Sequence, residues 1–224
     1  MNEQNSIFNG IISGNNNKNK TMNMEKIMKV LLINTHLTYP NWSEGALNNA
    51  FFQVAKDFFE SKSIQILETT IENGYTPEEE VEKHMEADLV ILQTPVNWFG
   101  APWIYKKYVD EVFNSGLLSQ KFLSGDGRTR SDLTKQYGSG GNMHGKKFMI
   151  CATWNAPLEA FDNPAQQLLQ GKSTADLFLN ISSNYRFCGY EIMPDYNCFD
   201  IFKNEKIAKD LENYSSHLAT ICNL

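Results

Sequence analysis

Three stretches of this chain are apolar along almost their whole length: residues 28–34 (MKVLLIN), residues 88–94 (DLVILQT) and Lys147–Thr153 (KFMICAT). A strand that is apolar at successive positions, and not at every second one, has to be covered on both faces. Parallel sheets held between layers of helices meet that condition. The intervening segments supply the helices. Residues 45–62 repeat Leu47, Phe51, Val54 and Phe58 along one helical face, and residues 102–114 do the same with Ile104, Tyr108, Val109 and Val112. Thr76-Pro77-Glu78-Glu79 reads as a helix start, with a capping threonine, proline at the first position and acids in the first turn. The last helix carries Ile207, Leu211, Tyr214, Leu218 and Ile221. Shorter strands at 64–69 and 191–196 bring the strand count to five. Right-handed crossovers then favour a five-stranded parallel sheet in the flavodoxin-like order 2-1-3-4-5, with helices on both faces.

The 224 residues suit one domain with a substantial core. Seven asparagines fall in the first twenty residues, and we expect residues 1–26 to be a disordered Asn-rich extension before a domain at 27–224. A net charge of −6 argues against a nucleic-acid partner, and no run is long enough for a membrane span. Cys151, Cys188, Cys198 and Cys222 are widely spaced, which excludes a disulfide framework and fits a cytoplasmic protein. His36, His84, His144 and His217 are dispersed, so no metal site is expected. There is no phosphate-loop motif, no G-x-G-x-x-G after the first strand and no G-x-S-x-G elbow.

In a sheet of this kind the ligand sits beyond the carboxyl ends of the strands, so the loops after strands one, three and four carry the argument. After strand one, Ser43 precedes Gly45-Ala46-Leu47. It reads either as a plain helix cap or as part of a phosphate-binding helix start. After strand three, TPVNWFGAPW (94–103) packs two prolines, two tryptophans and a phenylalanine into ten residues. Trp98, Phe99 and Trp103 make either a platform for a flat ring or a plug for the sheet end or a subunit interface, and their position favours the platform. Gly100 allows close approach of the backbone. After strand four, Thr153-Trp154-Asn155-Ala156-Pro157 repeats the aromatic, proline-stiffened theme. Between helix three and strand four, residues 119–145 lack periodicity and carry Arg128, Arg130, Lys135 and Tyr137. The two arginines read equally as attractors of a pyridine-nucleotide phosphate or as part of a solvated or dimer-contact loop.

The segments GAPWIYKKYVDEVF (100–113), SGDGRTRSD…KQYGSGG (124–141) and GKKFMICATWNAPLEAF (145–161) together resemble the modulator of drug activity B family of flavodoxin-like NAD(P)H:quinone reductases. The resemblance runs from about residue 28 to the last helix. It implies a homodimer that binds FAD, with NADPH as co-substrate and a quinone as acceptor. Ser43, Glu44, Gly45, Ala46, Leu47, Asn48, Asn49 and Ala50 match the diphosphate-binding helix start. Val96, Asn97, Trp98 and Phe99 match the ring-binding turn; Tyr137 matches the family's tyrosine before Gly-Ser-Gly-Gly. Thr153, Trp154, Asn155 and Ala156 complete the flavin contacts. Val96-Asn97 stand where the family pattern has glycine and tryptophan. Trp98, Tyr137 and Asn155 are the expected catalytic residues, in a two-electron ping-pong transfer from NADPH through FAD to quinone. No histidine or cysteine is assigned a role. The rival readings are a flavodoxin-type electron carrier, an azo or nitro compound reductase on the same fold, and a flavin-free structural or regulatory protein.

Overall fold

The computed structural model describes residues 28–224, and the expected extension at 1–26 lies outside them. Six strands and six helices follow in order: β1 (Lys29–Asn34), α1 (Ala46–Ser61), β2 (Gln65–Thr70), α2 (Pro77–Glu86), β3 (Leu89–Pro95), α3 (Trp103–Leu118) and β4 (Lys147–Thr153). Next come α4 (Thr174–Leu177), α5 (Leu179–Cys188), β5 (Glu191–Ile192), β6 (Tyr196–Cys198) and α6 (Ile207–Cys222). The sheet order is β2-β1-β3-β4-β5, all parallel, with β6 also paired to β4. The expected flavodoxin-like order holds, and the fifth strand is split in two.

The double burial inferred from the apolar runs is realised residue by residue. Side chains alternate across a strand, so Leu31 and Ile33 enter one core while Val30 and Leu32 enter the other. The first core is closed by α2, α3 and α5 through Val81, Ile104, Tyr108, Ile181 and Tyr185. The second is closed by α1 and α6 through Phe51, Phe59, Tyr214 and Leu218. Cys151 lies wholly buried inside β4, and burial pushes its thiol well above the ordinary range, as expected of an inert core residue.

The split of the fifth strand has a visible cause. Pro194 and Asp195 separate β5 from β6, and the Asp195 carboxylate accepts the Ile150 N–H at 2.9 Å, filling the gap in the ladder. Burial pushes that carboxyl up to about 6. In the first core His84 is held between the Tyr190 and Tyr108 hydroxyls at 3.0 and 3.1 Å, and burial pulls it down to about 3. Thr76 and Pro77 do start α2, but the Thr76 side chain makes no capping bond.

Candidate active site

The carboxyl ends of β1 and β3 are adjacent, with Asn34 in register with Gln93. A network of buried amides locks them to the first turn of α1. Asn34 Oδ1 accepts both the His36 N–H at 2.9 Å and Asn48 Nδ2 at 2.8 Å, and Gln93 Nε2 donates to Asn48 Oδ1 at 3.1 Å. Asn34 Nδ2 donates to Asn49 Oδ1, and Thr35 and Thr94 join hydroxyls at 2.7 Å. Asn48 therefore points inward and positions the helix; it does not face the loop cleft.

The start of α1 lacks a side-chain cap. Gly45 holds the cap position at φ 77°, a left-handed conformation that glycine adopts without penalty. The alternative of a Ser43 cap does not form, because Ser43 closes a small turn with Tyr39 instead, each N–H donating to the other's carbonyl. Uncapped N–H groups at a helix start attract an anion. Beside them His36 is buried, its Nε2 has no hydrogen-bond partner, and its ring fills the space next to Gly45. A buried ring nitrogen without a partner is costly unless a ligand supplies one. Glu44, Ala46 and Asn49 are exposed around this start, while Ser43, Leu47 and Ala50 are half-buried. A cleft of about 390 Å³ leads from His36 and Glu44 past Asn49 to Thr70 and Glu72 at the end of β2. Glu72 is fixed there by the Thr38 N–H at 2.8 Å and hydroxyl at 2.9 Å.

After β3 the chain turns through Asn97–Gly100, closed by Asn97 N–H to Gly100 O at 2.8 Å and the reverse bond at 3.2 Å. Both central residues are left-handed, Trp98 at φ 49° and Phe99 at φ 65°. Two bulky residues in that region store backbone strain of about 1–3 kcal/mol each. The turn is pinned to the neighbouring strand by Val96 N–H to Thr153 O at 3.0 Å. Its product is a Trp98 side chain 93% exposed and a Phe99 41% exposed. Apolar surface raised at such cost is the mark of a ligand seat or an interface.

The loop after β4 divides. Asn155 is exposed and Ala156 half-buried beside the turn, whereas Thr153 and Trp154 are buried. Trp154 donates through Nε1 to Asn197 Oδ1 at 2.8 Å and packs on Phe161 and Phe178, with ring centroids 5.0 Å apart in each case. Its indole is core; the expected aromatic platform on this loop is absent.

Tyr137 lies elsewhere. Helix α3 leaves the Trp98 turn and runs 16 residues, about 24 Å, to the opposite end of the sheet. The following loop docks there: Met143 N–H donates to Cys188 O at the end of α5, and the Tyr137 ring sits 5.2 Å from Phe187. Within one chain Tyr137 is not beside Trp98 and Asn155. No group of three or more metal-ligating side chains occurs among the described residues. No helix among them is long and apolar enough to cross a membrane.

The sequence reading missed His36, the buried amides Asn34 and Gln93, and Glu72. A histidine two residues beyond a buried strand, at its carboxyl end, was the available signal for the first of them.

A family model described as the flavodoxin-like fold matches residues 28–218. The chain is 34% identical over 194 residues to the NADPH:quinone oxidoreductase MdaB of Haemophilus influenzae, spanning 87% of this chain and 99% of that one. Among solved structures, a protein assigned as a quinone reductase from Klebsiella pneumoniae matches with a TM-score of 0.68 at 20% identity, over 86% of this chain and 84% of its own. The general stress protein 14 of Treponema denticola, solved with FMN, matches with a TM-score of 0.60 at 14% identity, over 87% and 99%. These last two are likenesses of fold.

Proposed function

Because the chain belongs to the family of flavodoxin-like fold proteins, and within it to the modulator of drug activity B reductases, we propose that it is a FAD-dependent NADPH:quinone oxidoreductase. The observation that carries this reading is the placement, at the ends of two adjacent strands, of an uncapped helix start with a partnerless His36 and a strained turn presenting Trp98 and Phe99. One element suits a diphosphate and the other a flat ring.

The N–H groups at the start of α1 bind the diphosphate, with His36 Nε2 as a further donor when that nitrogen carries the proton. The cleft leading on to Glu72 gives room for an adenosine beyond the diphosphate, which supports FAD over FMN. Bound FAD would supply hydride-transfer chemistry between NADPH and a quinone, the hydroquinone being completed by a proton from solvent. The Trp98 and Phe99 side chains wall the slot in which nicotinamide and quinone take turns, the physical basis of ping-pong kinetics. Backbone N–H groups of the 97–100 turn and Asn155 orient the ring and stabilise charge on it. The distance of Tyr137 from this seat within one chain supports a homodimer in which the loop of one copy covers the seat of the other.

The test is the colour of the purified protein, chromatography of the heat-released flavin, and bleaching by NADPH followed by reoxidation with a quinone. Release of FMN alone contradicts the cofactor assignment. Bleaching that no quinone reverses contradicts the activity.

A further inference from the structure

The loop between α3 and β4 holds a second cleft, of about 660 Å³, walled by residues of its two arms from Ser124 to Gly140. The arms meet backbone to backbone. A Cβ on Gly140 would fall 2.2 Å from Gly125 O, and one on Gly127 would fall 2.2 Å from Ser139 Oγ. The Ser124 N–H donates to Gly140 O at 3.0 Å, and the Gly138 N–H to Asp126 O at 2.8 Å. The cradle is therefore formed in advance of any ligand, which removes an ordering cost from binding.

Its charge is just as particular. Arg128, one of the two arginines singled out in the sequence, is already engaged. Its Nε and Nη2 donate to Asp126 at 3.0 and 2.5 Å, and it lies 5.3 Å over the Tyr137 ring. That pairing neutralises the only carboxylate that lines the cleft among the described residues, and it braces Tyr137. Lys135 lines the same cleft and forms no ion pair among the described residues; neither does Arg130, which follows Thr129 of the other arm just outside the lining. Asp132, the other carboxylate of this loop, lies outside the cleft lining and its Oδ1 accepts the Thr134 N–H and hydroxyl, so Lys135 is the unpaired charge in the cleft wall and makes it a local anion seat.

We propose that this cleft binds the 2′-phosphate of NADPH, with Lys135 as its anchoring cation and Arg130, one residue beyond the lining, as a second cation. The inference rests on the reductase reading and deepens it: the loop of one copy recognises the nucleotide serving the flavin seat of the other. A phosphomonoester carries two negative charges and is the only group by which NADPH differs from NADH, so these cations set the choice between them. Arg128 acts through Tyr137 and Asp126 as a positioning residue.

The test uses the flavin-loaded protein with Lys135→Ala, Lys135→Arg and Arg130→Ala. The ratio of kcat/KM for NADPH to that for NADH should exceed one in the wild type. It should fall roughly tenfold or more in Lys135→Ala and recover in Lys135→Arg. An unchanged ratio, or an equal loss with both nucleotides, overturns the proposal. Calorimetric titration with adenosine 2′,5′-bisphosphate against 5′-AMP separates this from failure of the reductase reading, since it needs no turnover. Tighter binding of the bisphosphate that Lys135→Ala removes supports the cleft even if NADPH bleaches no flavin. Equal binding of the two probes, or equal competition by inorganic phosphate alone, overturns it.

Discussion

A Cβ built on Gly45 would fall 2.6 Å from Cε1 of His36, so the histidine ring occupies the space that any other residue at position 45 needs. The glycine and the ring form one device: left-handed backbone opens the helix start, and the ring closes its side.

Gly45→Ala then meets two penalties, a left-handed alanine and a displaced ring. Unfolding free energy should fall by about 1–2 kcal/mol. Flavin affinity should fall further than His36→Ala alone achieves. His36→Ala should weaken flavin binding by roughly tenfold, as expected for one lost hydrogen bond to a charged group, with little change in stability. Fluorescence titration of the flavin-free protein measures both. Unaltered affinity in His36→Ala would remove the ring from the diphosphate seat.

Trp98→Gly and Phe99→Gly relieve the left-handed strain of the turn while deleting its aromatic wall. Each should raise stability by up to about 1 kcal/mol and lower flavin affinity and turnover. Trp98→Ala keeps the strain and loses the wall, so affinity should drop by about 0.5–1.5 kcal/mol beyond the area effect, with the fold intact. Denaturant melts paired with flavin titrations separate the two contributions. A loss of stability in both glycine variants would show that the strain is not stored where the dihedral angles place it.

Tyr137→Phe should leave stability almost unchanged, since the ring is exposed, and should lower quinone turnover per bound flavin. Mixing Trp98→Ala with Tyr137→Phe protein tests whether the two residues meet across a dimer. If they do, each mixed dimer regains one intact seat, and activity rises above that of either parent. If both residues served the same chain's seat, mixing would restore nothing.

The carboxyl of Asp195 is raised to about 6, so the folded chain binds a proton there more readily than the unfolded one. Its contribution is most favourable below the ordinary carboxylate value and is lost as pH rises through 6. Asp195→Asn keeps an acceptor for the Ile150 N–H and removes the buried charge. It should stabilise the protein at pH 7 by about 1–3 kcal/mol, with the gain vanishing near pH 4. His84 works in the opposite sense: held neutral down to about 3, it costs stability as pH falls below the ordinary imidazole value. Comparing each variant with wild type at the same pH cancels that background. A pH-independent gain would point to packing, not charge.

Strand order was legible because continuous apolar runs such as 28–34 admit few other environments, and helix faces were legible from the spacing of Phe51 and Tyr214. The break at Pro194-Asp195 was not, since a side chain substituting for a strand's backbone leaves no periodic trace. The 97–100 turn was recognisable as a platform by composition, but its two left-handed residues were not, because neither Trp nor Phe signals that conformation. Trp154 was misread for a related reason: an indole after a strand end reads the same whether it faces solvent or folds back under Phe161 and Phe178. The position of Tyr137 depended on how a non-periodic loop docks, and the contacts that fix the docking, Gly141 against Cys188 and Tyr137 against Phe187, join residues far apart in the chain.

The same interruption at Pro194 and Asp195 bears on how the protein behaves when crowded. A sheet margin with a long row of open backbone groups is a template on which further chains can add. Here the margin beyond β4 is cut into a two-residue and a three-residue piece, with a proline and a carboxylate between them. Neither piece is long enough to register an incoming strand, so this side of the sheet resists growth into fibrous aggregates by its own irregularity.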